Sequence, residues 1–369
     1  MRTLLFTIEY PPFKGGVANY YGNLMKNFPD ELVVLHNNDR KLTKWWIWPK
    51  WLPAIWQLKQ TIKKNKINHV LVGHLLPLGT VAYFVCQKMN IPYSVFIHGM
   101  DITFAMRKKR KKKIAIKILQ NAKNIICVSE YTKEIVKKFL ESSSGGESVK
   151  TLKSKLMAEK LHVVNPGIEP LITRNQETIT QIENKYELKN KTVLFSIGRL
   201  VKRKGVDMAI KAMSEVLRVV PNLYYVIAGT GPDEKYLKKL TNNNKNIIFI
   251  GSPNDTEKWA WMEKCDIFIQ LSRKIVDDFE GFGIVYLEAA LYGKPVIAGD
   301  SGGVSDAVLG GTTGILVNPE KIDRIASAII RLATDKETAK KLGEQGRKRA
   351  MEEFNWQGQA KKIHDIISL

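Results

Sequence analysis

Short, almost continuous apolar runs alternate along the chain with segments whose apolar residues recur every three or four positions. Such runs are typical of parallel strands buried on both faces, and the segments between them are typical of helices that cover a sheet. The first set of runs is residues 4–9, 32–36, 70–74, 93–98, 125–129 and 162–164. A second set follows at residues 193–198, 224–229, 247–251, 267–271, 296–298 and 314–317. Two such alternations predict an α/β protein of two Rossmann-like, doubly wound parallel-sheet domains that face a cleft.

The boundary between the two predicted domains lies near residue 170. A polar stretch of residues 170–190 follows Asn165-Pro166-Gly167, which is typical of a loop. We therefore predict an N-terminal domain of residues 1–170 and a C-terminal domain of residues 171–355. Residues 142–148 are rich in serine and glycine, which indicates a flexible surface loop. Ligands of such sheets bind outside the carboxyl ends of the strands, so we expect functional residues just after strands.

The apolar spacing between the first two runs predicts a helix with one buried face. Residues at this spacing recur every three or four positions, as on one side of a helix. They are Val17, Tyr20, Tyr21, Leu24, Met25 and Phe28.

Several classes of protein are excluded by simple patterns. No apolar run reaches the roughly 18 residues that a membrane-spanning helix needs, and the start lacks the pattern of a signal peptide, so we expect a cytoplasmic protein. Cys86, Cys127 and Cys265 lie in apolar stretches without a metal-ligand spacing, which indicates buried free thiols. The GxGxxG pattern of dinucleotide dehydrogenases is missing, because Gly229-Thr230-Gly231 is followed by Pro232.

Two segments after predicted strands have the residue types of a phosphate site. Gly15-Gly16 opens the first helix, where backbone N–H groups can approach a phosphate; a tight turn between strand and helix explains the pair equally well. Arg199 and Lys204 lie in a loop between a strand and a helix. Their two cations suit a diphosphate leaving group, and the alternative is a pair of solvated loop cations.

Two glutamates, Glu280 and Glu288, flank a glycine-rich helix start. Eight residues correspond to about two helical turns, which predicts that both side chains lie on roughly one face. A carboxylate accepts hydrogen bonds from ribose or sugar hydroxyls, although the spacing also fits a capping glutamate and an unrelated one. An Asp-x-Asp pattern at a strand end is missing, since Asp277-Asp278 is adjacent. We expect no obligatory metal and no other cofactor.

Together these motifs resemble the family-4 retaining glycosyltransferases of the GT-B fold, from about residue 5 to the carboxyl end. The resemblance lies in GGV after the first strand, GRLVKRKG at residues 198–205, AGTGP at 228–232 and EGFGIVYLEAALYGKPVIAGDSGG at 280–303. The segments around Asp266 to Arg273 and Asp277-Asp278 look most like the phosphatidylinositol mannosyltransferase branch. The family often has Gly-Gly-x-Pro-Glu where this chain has serine and aspartate at Ser305-Asp306, which leaves the donor sugar open.

The resemblance implies roles for particular residues. The implied catalytic residues are His98, Arg199, Lys204 and Glu280. Glu280 would hold the transferred sugar and His98 would lie near it, although His98 alone also fits a strand-end histidine with a structural hydrogen bond. Gly16 would bind the donor diphosphate through its backbone and Glu288 would bind the ribose. The implied donor-binding residues are Gly15, Gly16, Gly198, Gly251, Gly281, Phe282, Gly283, Ile284 and Glu288. Ser129-Glu130 and Asn165-Pro166-Gly167 match cleft loops, and a last helix of residues 356–369 would cross back to the first domain.

The implied reaction transfers a hexose from a nucleotide-diphosphate sugar to a hydroxyl of a lipid-linked or glycan acceptor. The branch favours GDP-mannose, with a UDP-sugar as the alternative donor.

Positive charge is concentrated in the first half of the chain. Residues 1–170 hold 28 lysines and arginines against 11 aspartates and glutamates, whereas the rest holds 30 against 25. The run Arg107–Lys113 is entirely cationic, and four tryptophans lie between Trp45 and Trp51. Cations and tryptophans together suit the headgroup layer of an anionic membrane, and we expect peripheral binding there. The alternatives are an aromatic loop packed on its own domain and a solvated helix start.

A protein of another class remains open from composition alone. A basic first half with aromatic residues also fits a nucleic-acid-binding protein. That hypothesis leaves the two glutamates and their glycine-rich segment unexplained, so we expect no nucleic-acid partner.

Overall fold

The computed structural model describes residues 1–13, 15–141, 159–169 and 175–369 and divides the chain into two α/β units. The N-terminal unit comprises Met1–Gly167 and Trp356–Leu369, and the C-terminal unit comprises Ile168–Asn355. Each unit contains one six-stranded sheet whose strands are all parallel. The predicted α/β fold class with two Rossmann-like parallel-sheet domains is confirmed. The predicted loop at residues 142–148 lies outside the described residues.

The sheet of the N-terminal unit has the order β2-β1-β3-β4-β5-β6. Its strands are β1 (Thr3–Phe6), β2 (Leu32–Leu35), β3 (His69–Val72), β4 (Tyr93–Ile97), β5 (Ile125–Cys127) and β6 (Leu161–Val163). Its helices are α1 (Gly16–Asn27), α2 (Leu52–Asn65), α3 (Leu78–Met89), α4 (Met100–Met106), α5 (Lys109–Asn121) and α6 (Glu130–Glu141). Every residue of β1, β3, β4 and β5 is buried, because helices cover both faces of the sheet.

Helix α1 buries a slightly different face from the predicted one. Tyr20, Tyr21 and Leu24 are buried as expected, but Met25 is 43% exposed and Ala18 is fully buried in its place. The buried face of α1 therefore includes Ala18 and leaves out Met25. It faces the last helix of the chain, which packs against α1 in the same unit.

The sheet of the C-terminal unit has the order β12-β11-β10-β7-β8-β9. Its strands are β7 (Thr192–Ile197), β8 (Leu223–Ala228), β9 (Ile247–Gly251), β10 (Ile267–Gln270), β11 (Val296–Gly299) and β12 (Gly314–Val317). Its helices are α7 (Gln176–Lys185), α8 (Val206–Val219), α9 (Glu234–Leu240), α10 (Asp255–Lys264), α11 (Ile284–Leu291), α12 (Val304–Ala307), α13 (Ile322–Thr334) and α14 (Lys336–Glu353). A 3-10 turn, Lys202–Lys204, lies between β7 and α8.

The last helix, α15 (Trp356–Ser368), belongs to the N-terminal unit although it follows the C-terminal unit in sequence. Trp356 is only 4% exposed, and its ring lies edge-on to Tyr20 at 5.1 Å between centroids. Gly167 lies so close that a side chain there would overlap the Trp356 indole. A glycine is needed at this position because the indole occupies the space beside its backbone.

The thiol prediction is confirmed, because Cys86, Cys127 and Cys265 are buried and free of disulfides. Within the described ranges, none of the helices is long and apolar enough to cross a bilayer.

Candidate active site

Three side chains of the C-terminal unit, those of Arg203, Lys204 and Ser272, converge on the carboxylate of Glu280. Its Oε2 atom accepts hydrogen bonds from Lys204 Nζ and Arg203 Nη1, both at 2.6 Å, and from Ser272 Oγ at 3.2 Å. Arg203 also forms an ion pair with Asp278, with 2.9 Å between Nε and Oδ1. The side chains of Glu280, Arg203 and Lys204 are each about 15% exposed. Charged groups this deep require partners, and here they neutralise one another.

The cations determine the charge state of Glu280. Burial alone would raise the pKa of its carboxyl, but the charges of Lys204 and Arg203 and the hydrogen bonds from Lys204 and Ser272 lower the pKa to about 2. Glu280 is therefore ionised throughout the physiological pH range. It is an acceptor for hydroxyl groups and is not an acid that can supply a proton.

Two glycines allow the backbone segments of this cluster to come together. Gly205 ends the 3-10 turn with a φ of 68°, and a side chain on it would overlap the carbonyl oxygen of Leu271. Gly302 has a φ of 65°, and a side chain there would overlap the Glu280 carbonyl oxygen, which also accepts a hydrogen bond from the N–H of Gly303 at 2.9 Å. The backbone of Glu280 is thus held by a glycine pair after β11.

Arg203 takes a position that the sequence did not reveal. Lys204 lies in the cluster, but Arg199 is exposed and its side chain makes no hydrogen bond or ion pair with the described residues. The available signal was the run of three cations in Lys202–Lys204, which a local pattern cannot sort into inward and outward side chains. In the structure, Arg203 and Lys204 point to Glu280, and Lys202 is exposed.

Glu288 has a different environment from Glu280, which corrects the prediction that both lie on one helical face. Helix α11 begins only at Ile284, so Glu280 lies in the loop before it and Glu288 lies on the helix. Glu288 accepts a hydrogen bond from Lys258 Nζ at 2.6 Å, and the same ammonium lies 4.3 Å from the centroid of the Trp259 ring. Lys258, on α10, was not identified from the sequence.

The start of α11 is built from the predicted donor-binding segment. Gly283 has a φ of 94°, a conformation that favours glycine, and a side chain there would overlap the Tyr286 ring. Phe282 is 3% exposed and packs against Phe354 at 5.7 Å between ring centroids, which anchors the segment from Gly281 to Ile284. The helix has no acidic residue in its first turn, so its N–H groups remain suited to an anion.

Two other predicted glycines follow strands of the same sheet. Gly198 comes directly after β7, beside the side chains of Gln270 and Lys204. Gly251 ends β9 with a φ of 70° and has open space where a side chain would point. Both lie at the carboxyl edge of the sheet, where ligands of doubly wound folds bind.

In the N-terminal unit, hydrogen bonds define the tautomer of His98, the residue after β4. The Tyr21 hydroxyl lies 2.7 Å from the Gly73 carbonyl oxygen and 2.7 Å from His98 Nε2. Because the carbonyl has no proton, the tyrosine must donate to it, and His98 must then donate its Nε2 proton to the tyrosine oxygen. This assignment leaves Nδ1 of His98 as an acceptor, suited to a hydroxyl of a ligand.

The surroundings of His98 keep it neutral. Burial, with a smaller contribution from His74, lowers the pKa of the His98 imidazole to about 3. The Asp101 carboxylate braces the loop by accepting hydrogen bonds from the N–H groups of His98 at 3.2 Å and Gly99 at 2.9 Å. The structural hydrogen bond expected of a strand-end histidine is therefore present, and an acceptor atom remains for a ligand.

The glycine pair Gly15-Gly16 lies at the start of α1. Gly15 has a φ of 173°, which is extended backbone that any residue adopts. A side chain on Gly16 would meet no atom within 4 Å of its Cβ. The turn itself therefore does not explain a glycine at position 16, which favours close approach of a ligand over the tight-turn alternative.

Comparison with known proteins accounts for the motifs in both units. Residues 15–143 match the profile of glycosyltransferase family 4, and residues 178–349 match that of the glycosyl transferases group 1. The chain belongs to the family-4 glycosyltransferases. The first match contains Gly15, Gly16 and His98, and the second contains the cluster around Glu280 and also Glu288.

Relatives of this glycosyltransferase extend over nearly its whole length. It is 26% identical to the GDP-mannose-dependent alpha-(1-6)-phosphatidylinositol monomannoside mannosyltransferase of Mycolicibacterium smegmatis, over 99% of this chain and 98% of that one. It is also 26% identical to the corresponding enzyme for the monoacylated lipid in Corynebacterium glutamicum, over 99% and 97% of the two chains. Anabaena HepE, solved in complex with UDP-glucose, has the same fold, with a TM-score of 0.79 at 18% identity over the full length of both chains.

We predict that His98 of this glycosyltransferase stays neutral, with its proton on Nε2, from pH 5 to pH 8. The lowered pKa means that the charged form is populated only well below this range. Long-range ¹H–¹⁵N correlation of the imidazole nitrogens over this range measures both properties. The control is the urea-unfolded chain, in which histidines have a pKa of about 6.5. A His98 transition near neutral pH, or a proton on Nδ1, would contradict the assignment.

Proposed function

We propose that this glycosyltransferase transfers mannose from GDP-mannose to a hydroxyl of a lipid-linked acceptor, with retention of the anomeric configuration. The observation that carries the proposal is the 2.6 Å contact between Lys204 and Glu280. It joins a cation suited to a leaving diphosphate with a carboxylate suited to sugar hydroxyls. The bond broken in a nucleotide sugar lies between these two parts of the donor, so a single site built this way orients both.

The cations act on the charge that develops as the diphosphate leaves. The ion pairs with Glu280 hold Arg203 and Lys204 in place, and cations held by their neighbours stabilise a developing negative charge with little reorganisation. Arg199, exposed on the same loop, adds a third cation from the solvent side. The N–H groups at the start of α11, in the same unit, are suited to the same anion.

The carboxylates and His98 bind hydroxyl groups. Glu280, ionised by its cations, accepts from hydroxyls of the transferred sugar, and the neutral His98 accepts through Nδ1. Glu288 accepts from the ribose, with Lys258 compensating its charge. These contacts orient the anomeric carbon without forming a covalent bond to it.

The chemical step exchanges one bond for another on the same face of the sugar. The bond between the anomeric carbon and the diphosphate oxygen breaks while the acceptor oxygen bonds to that carbon. The acceptor proton passes to the departing diphosphate oxygen, so no residue of the chain has to act as nucleophile. The low pKa of Glu280 agrees with a proton transfer that does not pass through this carboxylate, since a permanently ionised group has no proton to supply.

The choice of donor and acceptor rests on the relatives. The Mycolicibacterium and Corynebacterium enzymes, similar along nearly the whole chain, are described as GDP-mannose-dependent and act on phosphatidylinositol mannosides. Mannose from GDP-mannose and an acceptor carried by a lipid are therefore the first substrates to test. A UDP-sugar is the alternative donor, and the serine and aspartate at Ser305-Asp306 after the glycine pair leave the donor sugar open.

The surface of the N-terminal unit supports a membrane-borne acceptor. Trp45, Trp46 and Trp48 are 78%, 62% and 88% exposed, whereas Trp51 is half-buried and packs against the core of the unit. The alternative was that the aromatic loop packs on its own domain. Of these four tryptophans, Trp51 alone does so. Exposed tryptophans are well suited to the headgroup layer, because an apolar ring and a polar N–H are both satisfied there.

The cationic run begins a helix, where positive charge is unfavourable. Helix α5 starts with Lys109–Lys113 and has no acidic residue in its first turn, although the N-terminus of a helix favours anions. An anionic surface outside the protein compensates for this arrangement. Helices α2, α3 and α5 pack side by side, and Trp56 and Phe84 on the first two are more than half exposed. Cations and aromatic rings thus share one helical layer.

We predict that Lys204→Ala lowers kcat with GDP-mannose about 10²- to 10³-fold, the usual effect of removing a group that stabilises a leaving anion. Initial-rate kinetics with a phosphatidylinositol mannoside acceptor measure the change. The matched control is Lys202→Ala, which removes an exposed cation from the same turn and should leave turnover near normal. Near-normal turnover of both variants would contradict the proposed site.

A thermal-shift comparison tests the donor base. GDP should raise the melting temperature of the enzyme more than UDP at equal concentration, because of two ligands that bind only the native state the tighter one stabilises it more. A larger shift with UDP would identify the alternative donor.

We predict that the enzyme sediments with vesicles containing anionic lipid but not with neutral vesicles, and that salt weakens the binding. Replacing Trp45, Trp46 and Trp48 by serine should reduce it, as should Lys109, Arg110 and Lys113→Gln, since each cation near an anionic bilayer contributes about 1 kcal/mol. The control removes equal charge from the other unit, at Lys336, Lys341 and Lys348. Equal loss in the control and test variants, or equal binding to neutral vesicles, would contradict a specific surface.

A further inference from the structure

Arg273 is a buried cation for which the proposed chemistry gives no role. Its side chain is 4% exposed, and it follows Ser272, whose hydroxyl donates to Glu280. Isolated buried charges are costly, so a guanidinium this deep must be held by several acceptors. Its acceptors lie on the 3-10 turn Lys202–Lys204 and on the residues around that turn.

Arg273 binds the turn with both its side chain and its backbone. Its Nε–H donates to the Lys202 carbonyl oxygen at 3.1 Å, and its backbone N–H donates to the Arg203 carbonyl oxygen at 2.8 Å. Two of the three turn carbonyls are therefore fixed by one residue. These hydrogen bonds hold the backbone of the turn. The turn carries the side chains of Arg203 and Lys204, which contact Glu280.

The other edge of the guanidinium holds the start of the following helix. Nη2 donates to both carboxylate oxygens of Asp207, at 2.9 and 2.8 Å, and Nη1 lies 3.4 Å from Glu320. Asp207 lies in the first turn of α8 and is 7% exposed. Because Asp207 balances its charge, Arg273 can lie next to the turn of three consecutive cations. Reaching both the turn carbonyl and Asp207 requires a planar group with donors in several directions, which a lysine does not provide.

We propose that Arg273 is a positioning residue that fixes the Lys202–Lys204 turn, so that Arg203 and Lys204 are in place before the donor diphosphate arrives. The three adjacent cations of the turn repel one another, which favours a turn conformation that spreads their side chains into solvent. The hydrogen bonds from Arg273 to the turn carbonyls oppose that change of conformation. Arg273 acts through the turn and does not touch the substrate. The inference rests on the proposed role of Lys204 in binding the diphosphate.

The test compares Arg273→Lys in two backgrounds. Arg273→Lys keeps the charge beside Asp207 but loses the fork, so it should weaken GDP binding about tenfold, as expected for lost hydrogen bonds from a charged group, and lower kcat by a similar factor. The same change made in Lys204→Ala should have a smaller effect, because only Arg203 then still depends on the position of the turn. Isothermal titration with GDP and initial-rate kinetics measure both.

Controls separate positioning from general stability. Lys274→Gln removes the adjacent, exposed cation and should leave GDP affinity unchanged. If Arg273→Lys does not fold, Asp207→Asn tests the same anchor and should give the same pattern. Equal effects of the Arg273 or Asp207 variant with and without Lys204 would overturn the positioning role, as would unchanged GDP affinity in a folded variant. If Lys204→Ala alone leaves GDP affinity unchanged, the proposed function itself is wrong.

Discussion

The ion cluster around Glu280 is the interaction on which the site in the C-terminal unit depends. One carboxylate oxygen of Glu280 accepts hydrogen bonds from Arg203, Lys204 and Ser272, and Arg203 forms a second ion pair with Asp278. Removing ions from water is costly, and an incomplete set would destabilise the unit. The cluster therefore requires the turn after β7, the segment after β10 and the loop before α11 to lie in one arrangement.

The backbone around the cluster is adapted to that requirement. Gly205 and Gly302 permit close contacts that no side chain would allow, at Leu271 and at Glu280 respectively. Arg273 ties the cationic turn to the start of α8. The N-terminal unit follows a different principle. There a neutral hydrogen-bonded group, His98 with Tyr21, lies at the end of β4, while exposed tryptophans lie at the surface and a run of cations begins α5.

The fold was readable from the sequence because each buried strand is a separate apolar run, and all twelve runs correspond to strands. Lys204 and Glu280 were identifiable because they follow strands within distinctive segments. Arg203 was missed because side-chain direction in a turn of three cations depends on the surrounding backbone. Lys258 and Tyr21 were missed because their partners are 30 and 77 residues away, respectively, and meet them only in the folded unit.

A double-mutant cycle on GDP binding tests the central claim, that Glu280 and Lys204 form one coupled site for sugar and diphosphate. Titration calorimetry would compare the unchanged enzyme with Glu280→Gln, Lys204→Met and the double variant. Glu280→Gln should tighten GDP binding, since the carboxylate no longer competes with the diphosphate for Lys204, and this gain should largely disappear when Lys204 is methionine. The same effect of Glu280→Gln in both backgrounds would contradict the coupling.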